Sequence, residues 1–421
     1  MLMTGPAADE LADPVGEIDL YDPARYAARS QHGAWHRLRR DHPIWPQETP
    51  DGIRFWSVTR YRDVAAVLMD DKNFSSEHGT ILAVAAGDSA GGKTINLMDQ
   101  PKHADVRLPT MRLMSTHTVR NRADQVRARV RRLVADVFDA GGTVDVAELM
   151  LHLPMCAVGE TIGLPESIFD DLPRWAMAGV APEDPQYAEG SPAETLRKAH
   201  HNLIAVFSEL IRYKQAHPAD DVVSVLLGLR PDGRPMDAHE VLLNCYSFAM
   251  GSVTTTAQVA SHLILALAEQ PEAWQRLRST PGLVPAAVEE SLRWASPTNH
   301  LLRRTNAPVE IAGTRLEAGE LVAAWVASAD RDDAIFADPY TFDPGRNPNP
   351  HLAFGLGPHR CIGGPPAQQV LGVLLEEMID RLSEFHVAGP VTHLTSNFIN
   401  GITSLPVDFQ PVSARRAAVI T

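Results

Sequence analysis

The sequence predicts a mainly α-helical fold with minor β-sheets, built as one large domain. Two long segments, each opened by a capping box, keep a helical pattern of apolar residues. The strand-like segments are short, and no internal repeat or linker divides the chain. With 421 residues, of which 44% are hydrophobic, the chain is long enough to bury a large core.

The first third of the chain combines short elements with irregular segments. Residues 1–20 are acidic and rich in Ala, Gly and Pro, and they predict a loose arm before a domain that spans residues 21–421. Residues 55–68 predict a strand followed by a short helix that Asp63 caps. Residues 78–97 contain four glycines and predict a long loop, a kind of segment that is often functional.

Two helices are predicted in the middle of the chain. Residues 117–139 are basic and place apolar residues at helical spacing, which indicates an amphipathic helix with a solvated face. Binding to nucleic acid and docking of an acidic protein are the alternatives for this basic segment. Ser191 and Glu194 form a capping box that opens a helix ending near Gln215.

The longest helix is predicted from the capping box of Asp237 and Glu240 to about Glu269. At about 1.5 Å per residue it is roughly 50 Å long. Because it is apolar on most of its faces, it must cross the interior of the molecule.

The last third of the chain predicts minor sheet and one more helix. Short strands are expected at residues 309–311 and 321–326. A proline-rich stretch, residues 339–350, excludes both helix and central strand. A final helix is predicted over residues 365–385, with a buried apolar stripe that extends to Leu382.

Charge and cysteine content exclude several classes of protein. Lys plus Arg is 38 and Asp plus Glu is 52, so the net charge is −14, which argues against general nucleic-acid binding. Three cysteines without a CxxC pair exclude a disulfide framework and a zinc site, and they indicate a reducing compartment. The N-terminus lacks the pattern of a secretory signal and no run of about 18 apolar residues exists, so we expect a cytoplasmic protein without a membrane span.

The sharpest local feature is a glycine-rich loop at residues 351–363. Cys361 lies in it, just before the last predicted helix. Backbone N–H groups and the helix N-terminus favour an anion, so we expect them to favour a thiolate at Cys361, and the glycines let the backbone approach a flat partner closely. Such a thiolate suits either a nucleophile or an axial metal ligand. Cys156 and Cys245, in apolar helical segments, are typical of buried structural cysteines.

This loop resembles the haem-binding loop of the cytochrome P-450 family. The motif F-x-x-G-x-x-x-C-x-G over residues 354–363 carries the resemblance. Further segments agree with the family in the right order. The resemblance covers about residues 20–410. It is closest to the soluble bacterial members. These segments are H-x-x-x-R at residues 103–107, part of the oxygen-binding segment at residues 250–255, the E-x-x-R signature at residues 290–293 and the meander at residues 342–346.

The resemblance implies haem b as cofactor and Cys361 as the axial ligand of its iron, where electron density from the thiolate favours O–O cleavage. It also implies a set of haem-contacting residues, whose cations suit the two propionates. The set is His103, Arg107, Arg303, Phe354, Gly355, His359 and Gly363, together with Cys361. Glu290, Arg293 and Arg346 are implied to be structural residues that hold the meander and help to retain the haem.

The resemblance places the oxygen chemistry on the longest helix. Gly251 and three successive threonines are poor helix formers, and threonine hydroxyls can bond to the preceding turn. Thr254 matches the family threonine that directs protons to bound oxygen, with Gly251 and Thr255 beside it. The family usually has an acid before that threonine, whereas this chain has Val253. Either water and Thr254 then suffice, or a substrate group completes the relay, or the reaction is not ordinary hydroxylation.

The resemblance also implies separate electron-transfer partners. The glycine-rich loop has no dinucleotide fingerprint, so electrons are expected ultimately from NAD(P)H through a ferredoxin and a ferredoxin reductase. Because such ferredoxins are acidic, we expect a docking patch near Arg112 and along the helix at residues 120–132. The family often has arginine at the position of Gln368. We expect this difference to alter contacts on the same side of the protein as the docking patch.

Substrate contacts follow from the resemblance alone. The expected pocket residues mix apolar side chains with amides, which suits a mid-sized, largely apolar organic molecule. They are Ile81, Leu82, Phe248, Ser252, Asn299, Leu301, Leu302 and Ile399.

Three functions stay open at this point. The first is a haem-thiolate monooxygenase that hydroxylates such a molecule in specialised metabolite biosynthesis. The second, motivated by Val253, is an atypical oxidation such as desaturation, ring coupling or decarboxylation. The third is a catalytically idle haem protein.

Overall fold

The computed structural model describes residues 15–412, so residues 1–14 of the expected arm lie outside the described residues. The helices within this range are α1 (Ala24–Ala27), α2 (Gln31–Asp41), α3 (Tyr61–Met69), α4 (Lys102–Met111), α5 (Thr116–Asn121), α6 (Ala123–Ala140), α7 (Val146–Leu151), α8 (Met155–Ile162), α9 (Leu172–Val180), α10 (Pro192–Ala216), α11 (Val222–Gly228), α12 (Ala238–Glu269), α13 (Pro271–Ser279), α14 (Val284–Ala295), α15 (Val326–Ala329) and α16 (Gly364–Arg381). The strands are β1 (Ile44–Glu48), β2 (Arg54–Val58), β3 (Phe74–Ser75), β4 (Gly142–Asp145), β5 (Leu301–Thr305), β6 (Val309–Ile311), β7 (Thr314–Leu316), β8 (Leu321–Ala324), β9 (Leu382–Val387), β10 (Thr392–His393), β11 (Ile402–Ser404) and β12 (Pro406–Pro411).

The predicted fold class, mainly helical with minor sheet, is confirmed. The largest sheet has five strands in the order β1-β2-β8-β5-β3, in which only β2 and β8 run parallel. A three-stranded sheet has the order β4-β12-β9, and two hairpin-like pairs join β6 to β7 and β10 to β11. The five-stranded sheet includes β5, which carries Arg303, one of the expected haem-contacting residues.

Both predicted capping boxes are confirmed. Ser191 accepts a hydrogen bond from the N–H of Glu194 while Glu194 accepts from the N–H of Ser191, and Asp237 and Glu240 exchange the same bonds at the start of α12. These bonds satisfy N–H groups that a helix start leaves unpaired. α12 then runs for 32 residues and packs against α7, α9, α10 and α14 in the main core.

Local expectations differ from the structure in three places. Arg60, not Asp63, is the N-cap of α3, and no side chain caps that helix end. The basic segment forms two helices, α5 and α6, because Ser115 caps a separate short helix before the break at Arg122. α16 ends at Arg381, because Leu382 turns to extended backbone and pairs with β12.

The loop predicted at residues 78–97 is present, with two short 3-10 turns, Leu82–Val84 and Ile95–Leu97. In residues 15–412, no helix combines the length and the apolar composition needed to cross a membrane.

Candidate active site

Cys361 lies at the end of a tight loop that leads into α16. The loop turns at Gly355 (φ 66°) and Gly357 (φ 71°), a backbone region that favours glycine. A Cβ atom on Gly357 would lie 2.5 Å from the carbonyl oxygen of Leu68, so only glycine lets the loop pack against the end of α3. The N–H of Cys361 donates to the carbonyl oxygen of Phe354 at 2.7 Å, which holds the sulfur-bearing end of the loop in place.

The Cys361 thiol is both enclosed and accessible. Its side chain is exposed to solvent, yet surrounding protein raises the thiol pKa by desolvation. Backbone N–H groups of Gly363 and Gly364 and the guanidinium groups of Arg107 and Arg360 oppose that rise without reversing it. The protein alone therefore does not favour the expected thiolate, because burial outweighs the donors. A coordinated metal ion would deprotonate the thiol.

Four nitrogen-bearing side chains border the same loop. The rings of His103 and His359 stack with their centroids 4.1 Å apart. Arg107 donates to a backbone carbonyl of the loop. Arg303, on β5, is 4% exposed, and its guanidinium donates to the carbonyl oxygen of Leu302 at 2.8 Å. The structure thus brings together the four residues expected to bind propionates.

No carboxylate of residues 15–412 forms a salt bridge with this cluster, although Asp99 lies close enough to affect it. Burial, followed by the neighbouring cations, lowers the pKa of His103 to about 4 and that of His359 to about 2. Burial lowers the pKa of Arg303 to about 10, which Asp99 partly opposes. Nε2 of His103 is buried without a hydrogen-bond partner, and no carboxylate within residues 15–412 forms a salt bridge with Arg303. A ligand with two carboxylates, as haem has, fits this donor set.

The middle of α12 presents Gly251 and Thr255 to an accessible space. Gly251 is exposed, and nothing lies within 4 Å of the position that its Cβ would take. One turn later on the same face, the Thr255 hydroxyl donates to the carbonyl oxygen of Gly251 at 2.9 Å in an exposed hydrogen bond.

Thr254 and Val253 are more buried than Gly251 and Thr255. Thr254 is 3% exposed, and its hydroxyl donates to the carbonyl oxygen of Met250 at 2.8 Å. Val253 is fully buried in the main core. Thr255 therefore has the more accessible hydroxyl of the two, while Thr254, three residues after Gly251, stays the threonine that the resemblance implies.

Glu290 and Arg293 form a buried ion pair that ties α14 to the meander. Both side chains are 0% exposed, and the guanidinium donates to the carboxylate at 2.7 and 2.8 Å. Arg346 donates from Nε to both Glu290 oxygens at 3.1 Å, and Asn349 donates to one of them at the same distance. Arg293 also donates to backbone carbonyls in residues 330–341. The network joins three segments without reaching the Cys361 thiol.

The residues expected to line a substrate pocket do not form one surface. Leu301 faces the Cys361 loop, with its Cδ1 atom 3.7 Å from the Cβ position of Gly355. Leu302 points to the opposite face, because side chains alternate along β5. Leu302 and Leu82 are 1% exposed and pack with Trp325 in a separate apolar cluster. Leu301 and Leu302, both expected to line the pocket, therefore lie on opposite faces of β5.

The other expected pocket residues lie in different parts of the structure. Phe248 belongs to the main core, and Ser252 donates to its carbonyl oxygen at 2.7 Å. Ile399 is fully buried in another cluster, and Ile81 is half-buried. Asn299 is fully buried, and among the described residues neither polar atom of its amide has a hydrogen-bond partner.

Two buried side chains that the sequence did not single out hold the loop at residues 78–97. Oδ1 of Asn244, on α12, accepts from the N–H of Ile95 at 2.9 Å. Nε2 of His300 accepts from the N–H of Leu82 at 3.0 Å, and burial lowers the pKa of this histidine to about 4, so it stays neutral. In the sequence, Asn244 stands out only as a polar residue beside apolar ones, and no comparable signal marks His300, which follows other polar residues.

Three of the six arginines at residues 120–132 form salt bridges within the molecule. Arg127 and Arg131, on α6, form salt bridges with glutamates of α16, and Arg129 pairs with a glutamate of α8. Arg112, by contrast, is exposed at the end of α4. Within residues 120–132, Arg120 and Arg132 are also exposed and form no salt bridge with a carboxylate of residues 15–412, so the expected docking patch contains both paired and unpaired arginines.

The chain is similar to proteins of one family over almost its whole length. A family model described as Cytochrome P450 matches residues 282–406. Linalool 8-monooxygenase of Pseudomonas putida is 30% identical over 404 residues, covering 93% of this chain and 99% of that protein. Cyclomarin C epoxidase CymV of Salinispora arenicola is 30% identical over 384 residues, covering 91% and 96%. The crystal structure of P450 OxyD, involved in the biosynthesis of vancomycin-type antibiotics, is 32% identical with a TM-score of 0.85, covering 94% of this chain and 100% of that one.

Proposed function

The chain belongs to the cytochrome P450 family of haem monooxygenases, and we propose that it hydroxylates a mid-sized, largely apolar organic molecule in a biosynthetic pathway. The observation that carries the proposal is the enclosed, accessible thiol of Cys361 beside a cluster of two arginines and two histidines that has no carboxylate partner among residues 15–412. The names of similar proteins support the substrate class, since they cite linalool, cyclomarin C and antibiotic biosynthesis.

In this proposal two groups of residues hold the haem. Cys361 would bind the iron, and the N–H groups of Gly363 and Gly364 would donate to its sulfur. His103, Arg107, Arg303 and His359 would bind the propionates. Haem bound through the Cys361 sulfur would supply the activation of dioxygen.

Thr255 is proposed to hold the proton that the reaction needs. Its Oγ1–H already faces the accessible space beside Gly251 and can turn from the backbone carbonyl towards a ligand there. Thr255→Val is expected to lower product formation by about 10²-fold while reductant is still consumed, because the proton donor is lost but its shape is kept. The measurement is product formed per NAD(P)H oxidised.

Thr254→Val is the matched control, because the same hydroxyl is removed one residue away on the buried side. We expect its ratio of product to reductant to stay near that of the unmodified protein. Equal losses in both variants would refute the assignment to Thr255.

Val253→Asp tests whether an acid at this position can restore a relay. Because Val253 is fully buried in the core, the variant would bury an unpaired carboxylate. We expect a loss of unfolding free energy of about 3 kcal/mol or more, measured by urea denaturation, with no gain in product per reductant. Better coupling would show that the side chain reaches the site.

Hydroxylation and the second candidate, an atypical oxidation, are separated by isotope labelling. The second candidate is favoured by the absence of any acid in residues 248–258, at the middle of α12. The haem-loaded protein is screened for substrate-induced spectral shifts with terpenoid and aromatic compounds. The best ligand is then turned over under ¹⁸O₂ with a ferredoxin and its reductase. Label in the product supports hydroxylation, and an oxidised product without label supports the alternative.

A further inference from the structure

We propose that Glu289 is a positioning residue for the haem iron, which it influences through two partners, His351 and Gln368. These three residues, the Glu289 clamp, hold both ends of the Cys361 loop, and the negative charge of Glu289 lowers the reduction potential of the iron. Because this role is exercised on haem bound through Cys361, it rests on the proposed function. Glu289 precedes Glu290 on α14, but its hydrogen-bond partners differ from those of the buried ion pair.

A single carboxylate binds the two segments on either side of the cysteine. Oε2 of Glu289 lies 3.0 Å from Nε2 of His351, the residue at which the loop begins. Oε1 accepts from the side-chain amide of Gln368, in the second turn of α16, at 2.5 Å. A carboxylate that accepts at both oxygens fixes the start of the loop relative to the helix that follows it. The position of the Cys361 sulfur between these two points therefore depends on Glu289.

The hydrogen bonds of His351 show that both partners of the carboxylate are neutral. Nδ1 of His351 accepts from the N–H of Ala353 at 3.3 Å, so the ring proton lies on Nε2, which donates to Glu289. The amide of Gln368 carries no charge either. Within residues 15–412, no lysine or arginine forms a salt bridge with Glu289. The Glu289 clamp therefore has one net negative charge.

The Glu289 carboxyl stays ionised at neutral pH. Burial raises its pKa, but hydrogen bonds from His351 and Gln368 outweigh burial and hold the pKa below its usual value. The side chain is 38% exposed, so water screens the charge only in part. The guanidinium of Arg360 acts on the ionisation of both Glu289 and Cys361, which places the two groups in one electrostatic environment.

Gln368 is a position at which the chain departs from the family that it resembles, which often has arginine there. An arginine would donate to Glu289 and also neutralise its charge. Glutamine keeps the hydrogen bond and leaves the charge in place. A negative charge near a metal ion favours its higher oxidation state, so the Glu289 clamp favours the ferric over the ferrous form of the haem.

Two variants of the haem-loaded protein separate the charge of the clamp from its hydrogen bonds. The measurements are the midpoint potential in a spectroelectrochemical titration and the rate of haem transfer to apomyoglobin. Gln368→Arg keeps the bond and neutralises the charge. We expect the ferric–ferrous equilibrium to shift about threefold towards the ferrous form, a rise of about 28 mV at 59 mV per tenfold change, with unchanged haem transfer.

Glu289→Asp is expected to have the opposite effect. It keeps the charge, but its shorter side chain cannot reach both donors, so the loop is no longer held at both ends. We expect haem transfer about tenfold faster than in the unmodified protein, with little change in potential. Glu289→Gln, which loses both the charge and one acceptor, should change both quantities.

Glu148→Gln is the matched control for Glu289→Gln. Glu148 is 42% exposed and also accepts from a glutamine amide at 2.5 Å, but it lies on α7, which packs against α12 and β11. The control should change neither quantity. The Glu289 clamp is refuted if Gln368→Arg leaves the potential unchanged, or if both Glu289 variants lose haem no faster than the control. A normal ferrous carbon monoxide spectrum of the unmodified protein would then show that the proposed function still stands.

Discussion

Replacing Cys361 by serine is expected to abolish the thiolate-type spectrum of the ferrous carbon monoxide complex and to reduce product formation to background. Serine is close to cysteine in size, so the loop should still form. A backbone hydrogen bond and two glycines with positive φ hold its shape, and the substitution changes neither. Serine offers a hydroxyl oxygen in place of the cysteine sulfur. Sulfur is softer and more readily ionised, so it is the better ligand for iron in this site. The absorbance spectrum with carbon monoxide, recorded after dithionite reduction, checks the result.

Cys156→Ser and Cys245→Ser are the controls for this prediction. Burial raises the thiol pKa of Cys156 to about 11 and of Cys245 to about 12, and both lie in helices of the main core. Neither serine variant should change the spectrum. A thiolate-type spectrum that survives in Cys361→Ser would place the iron ligand elsewhere and remove the basis of the proposed function.

Glu290→Gln is expected to cost about 3–5 kcal/mol of unfolding free energy and to weaken haem retention. The glutamine leaves the buried guanidinium of Arg293 without its counter-charge and weakens the bonds from Arg346 and Asn349. Because this network joins α14 to the meander just before the Cys361 loop, its loss should also loosen the loop. Urea unfolding followed by circular dichroism and by haem absorbance measures both effects.

The exposed pair of Arg315 and Glu317 provides a matched control for this change. Its side chains are 72% and 64% exposed at an N–O distance of 2.9 Å, close to that of the buried pair. Glu317→Gln should therefore cost less than about 1 kcal/mol, because water replaces the lost interaction. Similar losses in the two variants would contradict the role given to burial around Glu290.

The fold could be predicted from the sequence wherever local pattern decides it. Periodic apolar residues and the capping boxes at Ser191 and Asp237 located α10 and α12 to within a residue or two. Prediction was weaker where a tertiary partner decides the local structure. α16 stops at Arg381 because Leu382 pairs with β12, a partner that lies almost 30 residues further along the chain.

The candidate site was predicted in part, because motif spacing is preserved in sequence whereas side-chain direction is not. His103, Arg303 and His359 lie far apart in the chain, yet the motifs placed them in one set and the structure puts them in one cluster. The prediction of the pocket residues rested on the family resemblance alone. Leu302 illustrates the difficulty, since a shift of one residue along β5 moves a side chain to the other face of the sheet.

By itself, the sequence determined the helical character of the chain, the caps of its long helices and the position of a cysteine in a glycine-rich turn. All three depend on residues within a few positions of one another. The tertiary structure alone decided which threonine hydroxyl of α12 is the more accessible, which arginines lack a carboxylate partner and whether the Cys361 thiol is stabilised as an anion. Those properties depend on helix rotation, charge pairing and desolvation, which are set by packing between segments distant in the chain.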